Sequence, residues 1–121
     1  MKRFIFAMAV FFIFVVVAQA GVTVNMETLS VLTSATKTFT AAQIQDATKQ
    51  NHYAQRAFCT LSGGQMNFSF DGATTPTTGA TGVGHYAQSG DQIVLTGWQD
   101  IQNFTAIAAT GTVSLTCSYS F

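Results

Sequence analysis

Charged side chains are scarce in this sequence, which contains 5 Lys or Arg and 5 Asp or Glu among 121 residues. After residue 20 the only cations are Lys37, Lys49 and Arg56, which are too few and too scattered to follow a phosphate backbone. A basic amphipathic stretch that would hold a membrane surface is also missing. The charge pattern therefore excludes nucleic acid as a partner, and leaves a membrane only through an uncleaved N-terminal segment.

Histidine and catalytic motifs are equally scarce. His52 and His85 are the only histidines, whereas a zinc site needs three or four ligands, so the sequence predicts no metal site. There is no Gly-x-Ser-x-Gly elbow and no phosphate-binding loop, and the carboxylates Asp71 and Asp91 belong to no catalytic motif. The sequence therefore predicts a protein without enzymatic activity and without a cofactor. An enzyme that groups Asp71, Asp91 and His85 around one cleft is the alternative.

The one long hydrophobic run lies at the N-terminus. Lys2 and Arg3 precede apolar residues 4–18, and Ala18-Gln19-Ala20 is the small-x-small pattern that signal peptidase accepts. The run is shorter than the roughly 20 residues that span a bilayer. Residues 1–20 are therefore predicted to be a signal peptide, cleaved after Ala20, with an uncleaved anchor as the alternative. The mature protein is expected to be secreted, periplasmic or extracellular, or alternatively part of a virion.

Residues 21–121 are predicted to be a single domain, with N-terminal strands and a connection in 21–55 and the core in 56–121. Apolar and polar residues alternate with period two, as in half-buried strands. The alternating or short apolar segments are Val22–Met26, Arg56–Leu61, Gln65–Asp71, Gln92–Thr96, Asn103–Ala108 and Thr112–Phe121. Glycine-punctuated short strands predict an all-β fold, a small antiparallel β-sandwich of the jelly-roll or immunoglobulin-like type with about six to eight strands.

Turn residues separate these segments. Ser62-Gly63-Gly64 is typical of a tight turn that joins a hairpin. Asp71 is expected to stabilise a turn with Gly72 and to begin an ordered surface loop, which contains the only proline, Pro76, and runs to about Gly90. Residues 40–51 have good helix formers but small apolar side chains, so one turn of helix or an irregular connection is expected there.

Cysteine occurs twice, as Cys59 and Cys117, and each lies on the apolar face of a predicted strand. In an exported protein an even number of cysteines predicts a disulfide. In the chain-entropy model a bridge between these two residues contributes about 4 kcal/mol. Two buried free thiols are the alternative if the protein stays in the cytosol.

Trp98, Tyr86 and Tyr53 are the candidates for exposed aromatic rings. Trp98 follows Gly97 at the end of a predicted strand, a position where a ring can stack on a sugar or cover one end of the core. Together with His85, Tyr86 and the 72–90 loop, Trp98 forms the candidate ligand-contact set. These residues favour an extracellular recognition module for a glycan or a surface partner as the second functional hypothesis.

Several fragments in order resemble the small virion-associated β proteins of tailed phages and prophages, over roughly residues 38–119. The fragments are Phe39-Thr40-Ala41-Ala42, Ala54-Gln55-Arg56-Ala57-Phe58-Cys59-Thr60, Asn67-Phe68-Ser69-Phe70-Asp71-Gly72, Pro76-Thr77, Gly84-His85, Gly90-Asp91-Gln92-Ile93-Val94-Leu95 and Ile101-Gln102-Asn103-Phe104-Thr105-Ala106-Ile107. The resemblance implies a compact β-sandwich without known enzymatic activity, acting as a decoration or accessory component of a particle. The first functional hypothesis is therefore an exported structural or assembly protein that binds copies of itself, particle proteins or surface proteins.

Overall fold

Seven strands and one short helix make up the fold in a computed structural model, which describes residues 24–46 and 48–121. The predicted signal peptide, residues 1–20, lies outside the described residues. The elements are β1 (Val24–Val31), β2 (Arg56–Ser62), β3 (Gln65–Ser69), β4 (His85–Gln88), β5 (Gln92–Thr96), α1 (Trp98–Asn103), β6 (Thr105–Thr110) and β7 (Val113–Ser120). No helix among these residues has the length and hydropathy to cross a membrane.

Two antiparallel sheets face each other across one core, which confirms the all-β sandwich. Sheet A has the strand order β1-β7-β2-β5, and sheet B has the order β4-β3-β6. Alternate side chains point into the core, because successive residues of a strand face opposite sides of the sheet. Met66 is fully buried and Phe68 is 9% exposed, while Phe70 packs on the rim of the same cluster. The core also contains the parallel-stacked rings of Phe39 and Phe104, whose centroids lie 4.2 Å apart.

The strand order distinguishes between the two sandwich types expected from the sequence. In an immunoglobulin fold the last strand lies in the sheet that holds the third and sixth strands. Here β7 instead lies in sheet A, between β1 and β2. Lys37 forms an isolated bridge with Ala106 on the free side of β6. When this segment is counted as a very short additional strand, each sheet has four strands and the first and last are neighbours, as in a jelly roll.

The Ser62-Gly63-Gly64 turn joins two sheets, so the predicted hairpin is wrong. β2 pairs with β5 and β7 in sheet A, whereas β3 pairs with β4 and β6 in sheet B. Gly63 has a φ of 88°, which supplies the tight reversal that the sequence indicated. Local turn chemistry sets how sharply a chain bends, but the hydrophobic layering decides whether the next strand pairs with the previous one or crosses to the facing sheet.

Residues 72–84 form the ordered loop that the sequence predicted. The last part of the predicted 72–90 loop instead forms strand β4. The loop covers the outer face of β3, where Asn67 and Ser69 are buried. The Asn67 side-chain amide donates hydrogen bonds to the carbonyl oxygens of Thr77 at 2.7 Å and Gly79 at 2.8 Å. The Ser69 hydroxyl donates to the carbonyl oxygen of Thr74. These bonds fix the loop against sheet B and leave β3 buried on both faces.

Asp71 and Gly72 lie at the start of this loop and Pro76 lies within it, and the sequence predicts structural roles for all three. The Asp71 carboxylate accepts hydrogen bonds from the backbone N–H of Thr74 at 2.8 Å and from its hydroxyl at 2.6 Å. These bonds, led by the one from the hydroxyl, lower the pKa of Asp71 to about 2. Gly72 has a φ of 72°, a region that favours glycine, and the side chain of Pro76 is fully buried.

Cys59 and Cys117 form the predicted disulfide, which the structure confirms. The two residues lie directly opposite each other on β2 and β7, with a Cα–Cα distance of 4.1 Å. Both are fully buried between the sheets. The bridge therefore links neighbouring strands at the centre of sheet A and spans 58 residues of sequence. A buried disulfide fits folding in an oxidising compartment.

Candidate functional site

Trp98 lies just past Gly97 and the end of β5, and it begins the short helix α1, which the sequence did not predict. Gly97, with a φ of 94°, turns the chain out of β5 and into this six-residue helix. The N–H of Gly97 donates to the carbonyl oxygen of Gln55 at 2.7 Å, which fixes the helix to the start of β2. Ile101 is the buried residue of α1, while Trp98 stays 42% exposed. The helix thus anchors one face in the core and presents the indole at the surface.

Tyr53 stacks beside Trp98, with ring centroids 5.8 Å apart and an interplanar angle of 28°. The sequence predicted an irregular connection over residues 40–51. In the structure this connection continues past residue 51 and includes Tyr53. There, Gln45 and Tyr53 form an isolated bridge, and the Ala54 N–H donates to the Ile44 carbonyl at 2.8 Å. The connection therefore doubles back on itself and holds the phenol ring against the indole.

A buried carboxylate fixes the turn of this connection. Asp46 is 5% exposed, and it accepts bonds from the Thr48 hydroxyl at 2.6 Å and the Thr48 N–H at 2.9 Å. His52 contributes its Nδ1 atom at 3.2 Å from the carboxylate. The hydrogen bonds from Thr48, followed by smaller effects of His52, lower the pKa of Asp46 to about 2. The carboxylate is thus a structural anchor for the segment that carries Tyr53.

The Tyr53–Trp98 groove, as we name it, is an open depression of about 340 Å³ beside the two stacked rings. Its lining is Thr38, Phe39, Ala41, Ile44, Gln45, Tyr53, Ala54, Trp98, Ile101 and Gln102. No carboxylate, ammonium or guanidinium group belongs to this set, while two side-chain amides and the hydroxyl groups of Thr38 and Tyr53 do. Such a surface suits a neutral ligand that has both an apolar face and hydrogen-bonding groups.

Tyr86 and His85 lie on β4 in sheet B, and their ring contacts within the described residues do not include Trp98. The His85 ring packs 5.2 Å from Phe70 and 5.4 Å from Phe68, so it covers the rim of the core. Tyr86 is 47% exposed and pairs with Asn67 in the sheet. The aromatic partner of Trp98 is Tyr53, so the ligand-contact set of the sequence analysis is divided between two surfaces.

Asp71, Asp91 and His85, the three residues of the enzyme alternative, each have separate contacts. Asp71 holds its own turn, and Asp91 accepts a hydrogen bond from the Gln88 N–H at 2.9 Å. His85 packs against the two phenylalanine rings. Within the described part of the chain, no three His, Cys, Asp or Glu side chains are grouped closely enough to hold a metal ion.

The outer face of sheet A is a second candidate surface, because it is regular and almost uncharged. Its register aligns side chains in ranks that cross all four strands. The ranks are Val24–Ser120–Arg56–Thr96, Met26–Ser118–Phe58–Val94, Thr28–Thr116–Thr60–Gln92 and the shorter Ser30–Ser114–Ser62. Arg56 is the only charged member, and Thr28 and Thr116 share a hydroxyl–hydroxyl hydrogen bond of 3.2 Å. A neutral face of hydroxyl groups and apolar side chains costs less to bury than a charged face, provided that its hydroxyl groups find hydrogen-bond partners.

Comparisons of this chain with protein-family models, with curated proteins and with solved structures find no match. The described surfaces offer a neutral groove with stacked aromatic rings and a neutral sheet face with aligned hydroxyl groups. Any assignment of function therefore rests on the fold and on the chemistry of these two surfaces.

Proposed function

We propose that the chain is an exported, non-catalytic structural protein that assembles with copies of itself or with other proteins of a particle or a cell surface. The outer face of sheet A carries this proposal. Its ranks contain one charge, Arg56, and the exposed apolar side chains Val24, Met26 and Val94, which are 55%, 66% and 47% exposed. Interfaces between proteins are depleted in charged residues at their centres. The phage-like fragments in the sequence support a role in a particle, and the buried disulfide supports folding outside the reducing cytosol.

Self-association is the expected behaviour of the protein purified after export of the full chain. Light scattering over a concentration series should show a weight-average mass that rises with concentration, because neutral faces associate without charge repulsion. Fractionation of the producing cells should place the protein in the envelope, particle or medium fraction. A protein that is monomeric throughout the series, and that also stays in the cytosolic fraction, would contradict the proposal.

A second candidate function is recognition of a neutral carbohydrate, and the Tyr53–Trp98 groove is the observation that favours it. Sugars have apolar ring faces that stack on aromatic side chains, and hydroxyl groups that bond to amides. The groove offers two stacked rings together with Gln45 and Gln102. Its volume of about 340 Å³ is at the small end of ligand sites, which suits one or two sugar rings.

Replacement of Trp98 by alanine tests this second function. For any glycan found to bind on an array, Trp98→Ala should raise the dissociation constant at least tenfold, because aromatic truncation in a binding site commonly costs more than about 1.4 kcal/mol. Tyr86→Ala is the matched control, since Tyr86 has similar exposure on the other sheet. Loss of binding in Tyr86→Ala alone would assign the ligand to the surface of β4. If no glycan on the array bound the protein, that result would count against carbohydrate recognition.

A further inference from the structure

The four sheet edges of the described residues are not equally protected. Sheet A ends at β1 and β5, and sheet B ends at β4 and β6. The edge of β6 is covered, because Lys37 and Ala106 exchange two backbone hydrogen bonds there, and Ala108 donates to Leu32. β4 has four residues, and a very short strand is a poor template for pairing.

The β1 edge carries an inward-pointing charge, which also opposes pairing. The Glu27 carboxylate accepts hydrogen bonds from the Tyr119 hydroxyl and from the Thr40 N–H at 3.1 Å. Burial, and after it the contact with Glu27, raises the pKa of Tyr119. Asn25 donates to the Gln43 carbonyl at 2.9 Å, so the chain around residues 40–43 closes this side of the sandwich.

The edge strand β5 is one residue longer than β4, and its residues Gln92–Thr96 include no charge, no proline and no bulge. A groove of about 310 Å³ runs along all five of its residues, and its other lining residues are Phe68 of β3, Phe70 just beyond β3 and Asp100 of α1. No described residue forms a hydrogen bond to the free side of this strand. An open, uncharged edge is a template for another strand.

The alternation of hydrogen-bonded positions along β5 identifies the backbone N–H and C=O groups that lie on its free side. Gly97 donates to Gln55 at 2.7 Å, and Leu61 donates to Asp91 at 3.1 Å, which fixes both ends of the pairing with β2. Paired and unpaired positions alternate along an antiparallel ladder, so Ile93 and Leu95 direct their backbone groups towards β2. The backbone N–H and C=O groups of residues 92, 94 and 96 therefore point outward.

We propose that β5 pairs antiparallel with β5 of a second copy, about a two-fold axis at Val94; this inference rests on the proposed assembly function. The strand is self-complementary in this register. Val94 lies opposite Val94 of the second copy, and Gln92 lies opposite its Thr96, so that all outward backbone groups have partners. The flanking Asp91 lies opposite Gly97 of the second copy, and no two like charges are opposed.

The outer face of sheet A also supports a second copy of this chain as the partner of β5. Pairing at β5 extends the rank Met26–Ser118–Phe58–Val94 across the axis, so that two copies of Phe58 and two of Val94 become contiguous. Val94, which is 47% exposed in one copy, then gains an apolar neighbour directly opposite. The result is one continuous sheet of eight strands with a single hydroxyl-rich face. A short edge contact buries little area, so the dimer is expected to dissociate readily on dilution.

Val94→Lys tests the inference, with Met26→Lys as the matched control. Both positions are exposed, apolar and on edge strands, and both belong to the same rank of sheet A. Lysine at position 94 places two like charges directly opposite each other across the axis. Sedimentation velocity of the exported protein should show a dissociation constant at least tenfold higher for Val94→Lys, and a value within twofold of the wild type for Met26→Lys.

A backbone variant separates edge pairing from side-chain effects. Proline at position 94 removes an N–H that points away from β2, so it should weaken the dimer while sparing the internal ladder. Thermal unfolding of each variant reports whether the fold is intact. A self-associating wild type in which Val94→Lys and Met26→Lys weaken association equally would overturn the edge inference and leave face-to-face assembly. If Val94→Lys associates like the wild type, edge pairing is also overturned, whereas a monomeric wild type overturns the assembly function with it.

Discussion

Replacing both cysteines by alanine, in the double variant Cys59→Ala/Cys117→Ala, should lower the free energy of unfolding by about 4 kcal/mol. The bridge joins residues 58 positions apart, and its loss returns that loop-closure entropy to the unfolded chain. A small domain has only about 5–15 kcal/mol of stability in total, so the variant should unfold at much lower urea concentration. Equilibrium urea unfolding followed by circular dichroism measures the difference.

Reducing agent provides the control for this prediction. Present throughout the titration, it should bring the wild type close to the double variant and leave the double variant unchanged. The two cysteines are fully buried, so the loss of their packing adds to the entropic effect and does not oppose it. A variant within about 1 kcal/mol of the wild type would contradict the view that this bridge is a principal source of stability.

Asn67→Ala should destabilise the protein by about 3 kcal/mol. Asn67 is 1% exposed, and its amide is the donor to the carbonyl oxygens of Thr77 and Gly79. Removal of the side chain leaves two carbonyl groups without their donor at the packed boundary between loop and sheet, each costing about 1–3 kcal/mol when buried. Hydrogen exchange should also become faster in residues 72–84, because their attachment to β3 is lost.

Asn103→Ala is the matched control for Asn67→Ala. Both residues are the asparagine of an Asn-x-Ser/Thr pattern, but Asn103 is exposed at the end of α1. Its replacement should change stability by less than about 0.5 kcal/mol. Equal effects of the two substitutions, or a rigid 72–84 loop in Asn67→Ala, would show that the side-chain amide does not hold the loop.

The sandwich was predictable from the sequence because its signal is distributed over many residues. Period-two alternation places strands closely, as for the predicted Arg56–Leu61 within β2, since one face of each strand must be buried. The disulfide was predicted because two cysteines lie on apolar faces of predicted strands in a chain with a predicted signal peptide. That Cys59 and Cys117 would be neighbours within one sheet was not predictable, because strand order depends on contacts distant in sequence.

The elements that the sequence missed have weak local signals. β4 contains one buried residue, Ala87, in four, which is too little to define a period. Helix α1 has six residues, one buried side chain and a glycine before it that provides no side-chain cap, so neither periodicity nor capping marks it. Asn67 resembled a solvent-facing strand residue, and its burial comes from a loop that crosses the strand afterwards.

The sequence predicted only part of the Tyr53–Trp98 groove, because its local signals are weak as well. Trp98 and Tyr86 are both exposed aromatic residues, and the sequence offers no means of knowing which rings share a surface. Tyr53 joins Trp98 because the connection before β2 folds back around Asp46, and that turn depends on side-chain hydrogen bonds from Thr48 and His52. Surface sites built from two distant connections are assembled by the tertiary fold.

Intact-mass measurement of the protein isolated from a whole culture, cells and medium together, tests the central claim most directly, namely that the chain leaves the cytosol and folds as a disulfide-linked sandwich. The mass should correspond to a chain that begins at Gly21 and lacks two hydrogens, one from each cysteine thiol. A full-length chain that retains residues 1–20 and both thiol hydrogens would contradict the claim.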